Sequence, residues 1–349
     1  FTIIQLLYEQ YNITGIEAFG NDYIARDVVT ANRYYDWAVE HYPELDLRKG
    51  RICRGDSTNL TSFVPTNAFD IVMTGYIDPI DDPLHLGVSD GEEHRRWCTS
   101  KSKVKQTLME EEQKEINGWF ALWASQMISL VKPGGIVIIE SISKPRCEVG
   151  DWGGVSKEWW AQAIQEYEWD TQLGIDPASL EIIDFDPSSQ YEVLLDRYNV
   201  KMTKRKSLVL ALEPSPSAAE VTGTAETEAE ATTGITSQTT EEVGTVDPAA
   251  LLDYTCPANI GIAINDRDGF FEWYDDDTAQ HALKANSSEF EDFLDEKYGA
   301  WGITPNEHKA LNANWIHWYG DHLLHSESRT IYESACGTGL TLFTIIQLL

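Results

Sequence analysis

Apolar and polar positions alternate along this chain with two periods, which predict strands and helices in turn. Short apolar runs bounded by turn residues predict strands, and the two most apolar are residues 69–74 and 136–140. Helical spacing predicts helices at residues 23–42 and 110–131, and a Lys-Pro-Gly-Gly turn ends the second of them. Strands that are separated by helices predict a parallel sheet with helices on both faces.

The chain begins and ends with the same seven residues. Residues 1–7 and 343–349 both read Phe-Thr-Ile-Ile-Gln-Leu-Leu. Superposing the copies joins a strand at 330–335, a glycine-rich turn, a helix from Leu340 through Tyr11 and a strand at 15–21. Two interpretations remain open, a circular permutation with a short overlap or one period of a tandem array cut out of phase. Both predict one closed domain per chain.

Composition divides the chain into four parts. Residues 213–248 are rich in Ser, Thr, Ala and Glu and contain no aromatic or basic residue, which predicts a flexible linker. Residues 1–212 carry most of the domain, from its first helix to its last strand. Residues 249–329 form a helical, aromatic-rich segment that precedes the first strand. Residues 330–349 supply that strand, the glycine-rich loop and the start of the first helix.

The predicted fold is a Rossmann-like α/β domain in circularly permuted order. Its sheet has seven mostly parallel strands, with helices on both faces. It ends in an antiparallel strand pair, which we expect within residues 191–212 because two apolar runs flank a short basic turn there.

Charge and cysteine content narrow the classes of function. A formal net charge of -31 disfavours a nucleic-acid partner, although acidic surfaces also serve solubility alone. No apolar run approaches the ~20 residues of a membrane helix. The five cysteines show no metal-binding spacing. They predict reduced thiols in an intracellular, cytoplasmic protein, with neither disulfides nor a metal site.

A glycine-rich loop follows the predicted first strand. In an open parallel sheet, ligands bind beyond the carboxyl ends of the central strands, and this loop occupies that place. It runs from Glu333 through Ala335 to Gly337 and Gly339. The two glycines allow a tight turn and a close approach of the backbone to a ligand, and the next helix offers free N–H groups.

Two acids follow at the ends of the next strands. Asp22 ends the second strand, where a carboxylate can accept hydrogen bonds from both ribose hydroxyls, and Ala31 follows it on the helix. Glu17 is the alternative ribose acid. Asp56 and Ser57 end the third strand, where a carboxylate can lie near an adenine amino group.

With these motifs the chain resembles the class I S-adenosylmethionine-dependent methyltransferases. The motifs stand in the family's order: Glu333-x-Ala335-x-Gly337-x-Gly339, Gly20-Asn-Asp22, Gly55-Asp56-Ser57 and Phe69-Asp70-Ile-Val. The resemblance implies that Glu333 orders the loop over the methionine end, Asp22 holds the ribose and Asp56 the adenine. It extends the cofactor site to Ser57, Asp70 and Thr74. Ala335 departs from the family, which has glycine there. A dinucleotide-binding dehydrogenase is the competing interpretation, but Leu342 stands where its third glycine would fall.

The acceptor pocket is less well marked. Tyr76 and Asp78 follow the fourth strand and could orient an amine or hydroxyl, or could simply pack and cap the turn before Pro79. Farther on, Trp273 and Tyr274 lie among acids, a composition suited to a cationic group or to an amphipathic lid or docking segment.

An aromatic stripe precedes the first strand. Trp315, Trp318, Tyr319 and His322 share one helical face, for which core packing is the favoured interpretation and pocket lining the alternative. His317 and His322 are candidate bases.

The resulting prediction is an S-adenosylmethionine-dependent methyltransferase. It transfers a methyl group to a nitrogen, oxygen or sulfur atom of a small molecule and releases S-adenosylhomocysteine. The expected acceptor includes cationic molecules and amines. One alternative is an inactive structural module of a tandem-repeat array, and another is a protein methyltransferase. The duplicated helix also allows self-association or domain exchange between chains.

Overall fold

Strands and helices alternate through the described part of the chain. The computed structural model describes residues 2–22, 25–48, 52–74, 84, 91–148, 153–184, 197–206, 313–326 and 328–334. The strands are β1 (Glu17–Asp22), β2 (Ile52–Arg54), β3 (Phe69–Thr74), β4 (Val131–Ser143), β5 (Glu181–Asp184), β6 (Arg197–Thr203) and β7 (Thr330–Ser334). The helices are α1 (Thr2–Tyr11), α2 (Ala25–His41), α3 (Gly91–Cys98), α4 (Lys103–Leu130), α5 (Lys157–Glu166) and α6 (Ile316–Leu323). These ranges belong to one compact unit, which comprises Phe1–Ser207 and Tyr254–Leu349.

The strands form one mixed sheet in the order β2-β1-β7-β3-β4-β6-β5. The first five strands in that order pair in parallel, and β6 is antiparallel to both β4 and β5. This confirms the predicted seven-stranded, mostly parallel sheet. The expected antiparallel pair within residues 191–212 is not confirmed: β6 falls in that range, but residues 207–212 lie outside the described residues, and β6 pairs with β5, which was not predicted.

β7 lies in the centre of the sheet although it comes from the last part of the chain. Ile331 pairs with Ala18 of β1 on one side and with Ile71 of β3 on the other. The expected position of this strand, between residues 15–21 and 69–74, is confirmed for residues 330–334. Ile331 and Tyr332 are buried on opposite faces of the sheet, as a central strand requires.

Each face of the sheet carries its own apolar core. On one face, α1, α2 and α6 pack on alternate side chains of the central strands. On the other, α4 and α5 pack on the intervening side chains. Gly320 lets α6 approach α1 closely, because a Cβ there would come within 2.5 Å of the Tyr11 ring. The prediction of helices on both faces is therefore confirmed. None of the described helices is long and apolar enough to cross a membrane.

The Pro-Gly-Gly segment belongs to β4, which corrects the prediction of a separate turn. β4 begins at Val131, directly after α4, and its pairing with β3 shifts between Phe69 and Ile71. The extra residues of β4 are accommodated there as a bulge. Gly135 passes so close to β3 that a Cβ would lie 2.6 Å from the carbonyl oxygen of Asp70.

The cysteine prediction was wrong. Cys98, the last residue of α3, forms a disulfide with Cys147, with 5.5 Å between their Cα atoms. Cys53 is also disulfide-bonded. Cys98 and Cys147 are 49 residues apart, so no short cysteine spacing in the sequence indicated their bond. Reduced thiols were the basis for expecting an intracellular protein, and that basis is removed.

Asp70 joins three strands at the amino end of the sheet. Its Oδ2 accepts hydrogen bonds from the backbone N–H of Thr330 at 2.9 Å, from Thr330 Oγ1 at 2.7 Å and from Ser328 Oγ at 2.9 Å. Lys132 Nζ lies 3.3 Å from the same oxygen. Burial opposes ionisation, but the bonds from Thr330 and Ser328 and the charge of Lys132 outweigh it and lower the pKa of Asp70.

We predict that Asp70→Asn destabilises the fold by about 1–3 kcal/mol, because the amide oxygen accepts the same bonds without the negative charge that strengthens them and pairs with Lys132. Urea unfolding at pH 7 measures the loss. The effect should diminish in acid, since a carboxylate with a lowered pKa loses its contribution as pH falls through that pKa.

Asp184→Asn is the matched control for this experiment. Asp184 is paired with Lys157, but its side chain is 56% exposed, so we expect a change within about 0.5 kcal/mol. Equal losses in the two variants would show that Asp70 does not join the strands as described.

Candidate functional site

The last residues of three central strands are polar and lie at the carboxyl edge of the sheet. Asp22 ends β1, Ser334 ends β7 and Thr74 ends β3, and they are 7%, 0% and 0% exposed. The order of the strands reverses here, because the chain passes from β2 on one side of β7 to β3 on the other. Such a reversal is the usual ligand site of an open α/β sheet.

Asn21 ties the ends of β1, β2 and β7 together. Its Nδ2 donates to the carbonyl oxygen of Gly55 at 2.9 Å and to Ser57 Oγ at 3.0 Å. Its Oδ1 accepts from Tyr332 Oη at 2.9 Å. The backbone N–H of Gly55 donates to the carbonyl oxygen of Asp22 at 2.9 Å. No role for Asn21 was predicted, although a buried amide in an apolar strand was the available signal.

Asp56 uses one of its two carboxylate oxygens in hydrogen bonds to described residues. Its Oδ1 accepts from the backbone N–H of Thr58 at 2.8 Å and from Thr58 Oγ1 at 2.7 Å. These bonds begin the short 3-10 helix Ser57–Ser62. Oδ2 makes no hydrogen bond within the described ranges. The half-buried carboxyl group is thus oriented by one oxygen, with the other open to a ligand.

Glu333 and Asp22 lie on the same face of the sheet. Glu333 pairs with Gly20, and Asp22 is two residues farther along β1, so the two side chains share one face. Glu333 is 0% exposed, and its charge contributes to the raised pKa of Tyr319. Thr74 ends the next strand, and its Oγ1 is buried without a hydrogen-bond partner among the described residues.

Several predicted site residues lie outside the described residues. They are Ala335, Gly337 and Gly339 of the loop, Tyr76 and Asp78 after β3, and Trp273 and Tyr274 of the upstream segment.

Asp70 and Glu17 lie at the opposite edge of the sheet from Asp22. Asp70 is the second residue of β3 and precedes Thr74 by four positions, about 13 Å along a strand. Its placement beside Thr330 contradicts the expected part in the cofactor site. Glu17 is the first residue of β1 and pairs with Thr330, so Asp22 is the ribose candidate that lies at the carboxyl edge.

The two histidines lie at different parts of the sheet. His322 is hydrogen-bonded to the backbone of Asp70, and its pKa is lowered by burial and by the nearby lysines, against the opposing charge of Asp70. It therefore lies near the amino edge, away from the ends of the central strands. The charge of His317 acts on Glu181, the first residue of the edge strand β5.

The aromatic residues of α6 anchor that helix to carboxylates of the sheet. Trp315 Nε1 donates to Glu140 Oε1 at 2.8 Å, and Tyr319 Oη donates to the same oxygen at 2.5 Å. Trp318 Nε1 donates to Glu181 Oε2 at 2.9 Å. All three aromatic residues are at most 2% exposed, which agrees with core packing rather than an open pocket lining.

Glu140 is a member of this edge that sequence reasoning assigned to a buried strand without a role. It follows Ile139, the partner of Thr74, so it lies level with the carboxyl end of β3. It is 3% exposed, and burial raises its pKa to about 7 in spite of the bonds from Tyr319 and Trp315. The described residues include no group of three or more His, Cys, Asp or Glu side chains that could hold a metal ion.

No protein-family model matches this chain, and no curated protein matches it. Among solved structures, it is similar to a possible exported protein from Bordetella parapertussis, with 10% identity over 58% of this chain and 66% of that chain and a TM-score of 0.32. A S-adenosylmethionine-dependent methyltransferase from Archaeoglobus fulgidus gives 12% identity over 58% of this chain and 92% of that chain, with a TM-score of 0.29.

A further similar structure is 1,6-didemethyltoxoflavin-N1-methyltransferase from Burkholderia thailandensis with bound 1,6-didemethyltoxoflavin and S-adenosylhomocysteine. It gives 8% identity over 58% of this chain and 76% of that chain, with a TM-score of 0.28. This chain spans slightly less than two thirds of the Bordetella protein's length. Likenesses with such low TM-scores carry no argument about this chain, so any assignment of function depends on its own residues.

Glu140→Gln should change how the stability of the protein depends on pH. A carboxyl group whose pKa rises from 4.5 to about 7 on folding stabilises the fold at low pH, and this contribution is lost as pH rises through 7. The stability of wild type relative to Glu140→Gln should therefore fall between pH 4.5 and 7, by at most about 1.4 kcal/mol per pH unit. Urea unfolding at pH 5, 6, 7 and 8 measures it.

Glu181→Gln is the control, since Glu181 also accepts a bond from a tryptophan of α6 but has a lowered pKa. Its difference from wild type should stay constant over the same range. A constant difference for Glu140→Gln as well would contradict the raised pKa.

Proposed function

We propose that this chain is an S-adenosylmethionine-dependent methyltransferase acting on a nitrogen, oxygen or sulfur atom of a small molecule. One observation carries the proposal: the central position of β7. Glu333 lies on β7, Asp22 on the neighbouring β1 and Asp56 directly after β2, in the order that the resemblance to the methyltransferase family implies. The central position of β7 also supports the unrolled order, in which residues 330–349 precede residues 1–11.

The described side chains fit a nucleoside cofactor at this edge. Asp22 accepts the ribose hydroxyls, and the open oxygen of Asp56 accepts the adenine amino group. Asn21 holds the strand ends that carry both acids. Thr74 brings a buried hydroxyl group whose hydrogen-bonding capacity is unused within the described ranges, which is a feature of ligand sites.

The cofactor supplies an activated methyl group on a sulfonium with a good leaving group. The chain's own residues have to bind the cofactor, orient it toward the acceptor and exclude water. Such alignment gives a large rate advantage. Glu333 positions the loop over the methionine end, as the resemblance implies. The buried aromatic side chains of α6 close the sheet face beside these strands and keep water from it.

An amine or cationic small molecule is the acceptor that the charge distribution favours. The net charge of -31 attracts cations and opposes nucleic-acid backbones. The repeated terminal segment favours a second candidate, an inactive module of a tandem array. In the first copy, the apolar residues Ile3, Ile4, Leu6 and Leu7 belong to α1 and are buried in the core.

We predict that S-adenosylhomocysteine binds wild type and that Asp22→Ala weakens this binding by about 10-fold to 100-fold. The loss corresponds to charge-assisted hydrogen bonds to the ribose. Isothermal calorimetry provides the measurement. Asp321→Ala, which removes an exposed acid of α6, should bind like wild type. Absence of binding by wild type, or equal binding by Asp22→Ala, would remove the basis for the assignment.

The class of acceptor is tested separately with methyl-labelled S-adenosylmethionine and two fractions of a cell extract. We expect label in the low-molecular-weight fraction, because the proposed acceptor is a small amine or cation. Label in proteins would indicate the protein methyltransferase instead. Tight cofactor binding without transfer to either fraction would favour the inactive module.

A further inference from the structure

Glu140 differs in its partners from Glu112 and Asp70, two other buried carboxyl groups among the described residues. Glu112 pairs with Arg146 at 2.8 Å, and Asp70 lies 3.3 Å from Lys132. Glu140 instead accepts hydrogen bonds from the indole N–H of Trp315 and the hydroxyl group of Tyr319, which are neutral donors. No Lys, Arg or His in the described ranges forms an ion pair with it. A buried carboxylate without a counter-ion is costly, so it needs either a proton or a cationic ligand.

The hydrogen bonds leave one oxygen of Glu140 available. Both donors bind Oε1, and Oε2 has no hydrogen-bond donor among the described residues. Trp315 and Tyr319 are themselves buried in α6, which fixes the carboxyl group in place. A fixed carboxyl group with one unused oxygen suits contact with a cationic ligand that binds and is then released.

Glu140 lies at the edge where the proposed cofactor binds. Tyr319 Oη contacts Met73 Sδ at 3.4 Å as well as Glu140, and the charge of Glu333 acts on the same hydroxyl. Glu333 and Glu140 are separated by one strand, β3, which places their strands about 10 Å apart. Glu333 and Glu140 therefore lie on either side of β3, and both act on the Tyr319 hydroxyl group.

We propose that Glu140 is the counter-ion of the cofactor's sulfonium and distinguishes the charged S-adenosylmethionine from the neutral thioether S-adenosylhomocysteine. This inference rests on the proposed function. Glu140 carries a proton in the free protein and with the thioether, and releases it to solvent when the sulfonium binds. When the methyl group leaves, sulfur keeps the electron pair of the broken C–S bond and becomes neutral, and Glu140 takes a proton back from solvent.

The groups around Glu140 allow this exchange. On α6, Tyr319 stays protonated because burial and the nearby carboxylates raise its pKa far above neutral pH. On β7, Glu333 is acidic and cannot neutralise Glu140. On β6, the cation Lys201 is held by Glu181 at 2.5 Å and lies over the Trp318 ring. A pKa of about 7 places the proton exchange of Glu140 in the neutral range.

Calorimetric titrations in buffers of different ionisation enthalpy count the protons that each ligand releases. At pH 7 we expect S-adenosylmethionine to release about half a proton more from wild type than from Glu140→Gln, and S-adenosylhomocysteine to show no such difference. The affinity of wild type for the sulfonium should rise roughly 10-fold from pH 6 to pH 8 relative to Glu140→Gln. The amino group of the ligand titrates with both proteins and cancels in this comparison.

Two further variants sharpen the experiment. Glu181→Gln removes a carboxylate that binds α6 at another strand and should release protons like wild type. Tyr319→Phe removes a donor that lowers the pKa of Glu140, so the rise in sulfonium affinity should move to higher pH.

The wild-type protein alone provides an independent measurement. Infrared difference spectra at pH 6.5 should show loss of a protonated carboxyl band with S-adenosylmethionine and its persistence with S-adenosylhomocysteine. Equal proton release by wild type and Glu140→Gln, or a band that persists with both ligands, overturns the role of Glu140 while the proposed function stands. Failure of wild type to bind either ligand overturns both.

Discussion

The pairing of β7 with β1 on one side and β3 on the other is the constraint on which the rest of the structure depends. β1 and β3 cannot pair with each other while β7 lies between them, so the central strand completes the hydrogen bonding of both. Its start is held by Asp70, through the backbone and hydroxyl of Thr330. Its end is held by Trp123, whose Nε1 donates to Ser334 Oγ at 3.2 Å. Because β7 is fixed at both ends, its side chains have fixed positions on both faces of the sheet.

The two edges of the sheet use their polar groups in different ways. At the amino edge, Asp70 Oδ2 accepts hydroxyl and backbone hydrogen bonds and lies beside a lysine, and these contacts join strands. At the carboxyl edge, Asp56 is oriented by one oxygen only, and Glu140 is held by neutral donors. A carboxylate beside a cation is compensated within the fold, whereas a buried carboxyl group held by neutral donors can accept a cationic ligand. This difference between the edges supports the proposal of a ligand site at the carboxyl edge.

The sequence allowed the main strands to be predicted, because buried strands require unbroken apolar runs. Residues 69–74 were predicted with the observed bounds, and joining the chain ends placed residues 330–334 in the sheet. β5 escaped prediction because an edge strand of four residues, two of them acidic, has little apolar pattern. The Cys98–Cys147 bond escaped because it depends on how α3 meets the loop after β4. Asp70 was assigned to the wrong edge, although its position as the second residue of its strand already indicated the amino end.

The face to which a helix docks is harder to predict than the helix itself, and α6 illustrates why this matters for function. Its aromatic stripe was visible in the sequence, but which carboxylates would receive its N–H and O–H groups was not. Buried Trp and Tyr need acceptors, and a carboxylate that meets this need stays ionisable because its partners carry no charge. Packing and chemistry are therefore not alternatives for Trp315 and Tyr319. By burying Glu140 without a cation beside it, these packing residues raise its pKa, and the proposed response to a ligand's charge depends on that property.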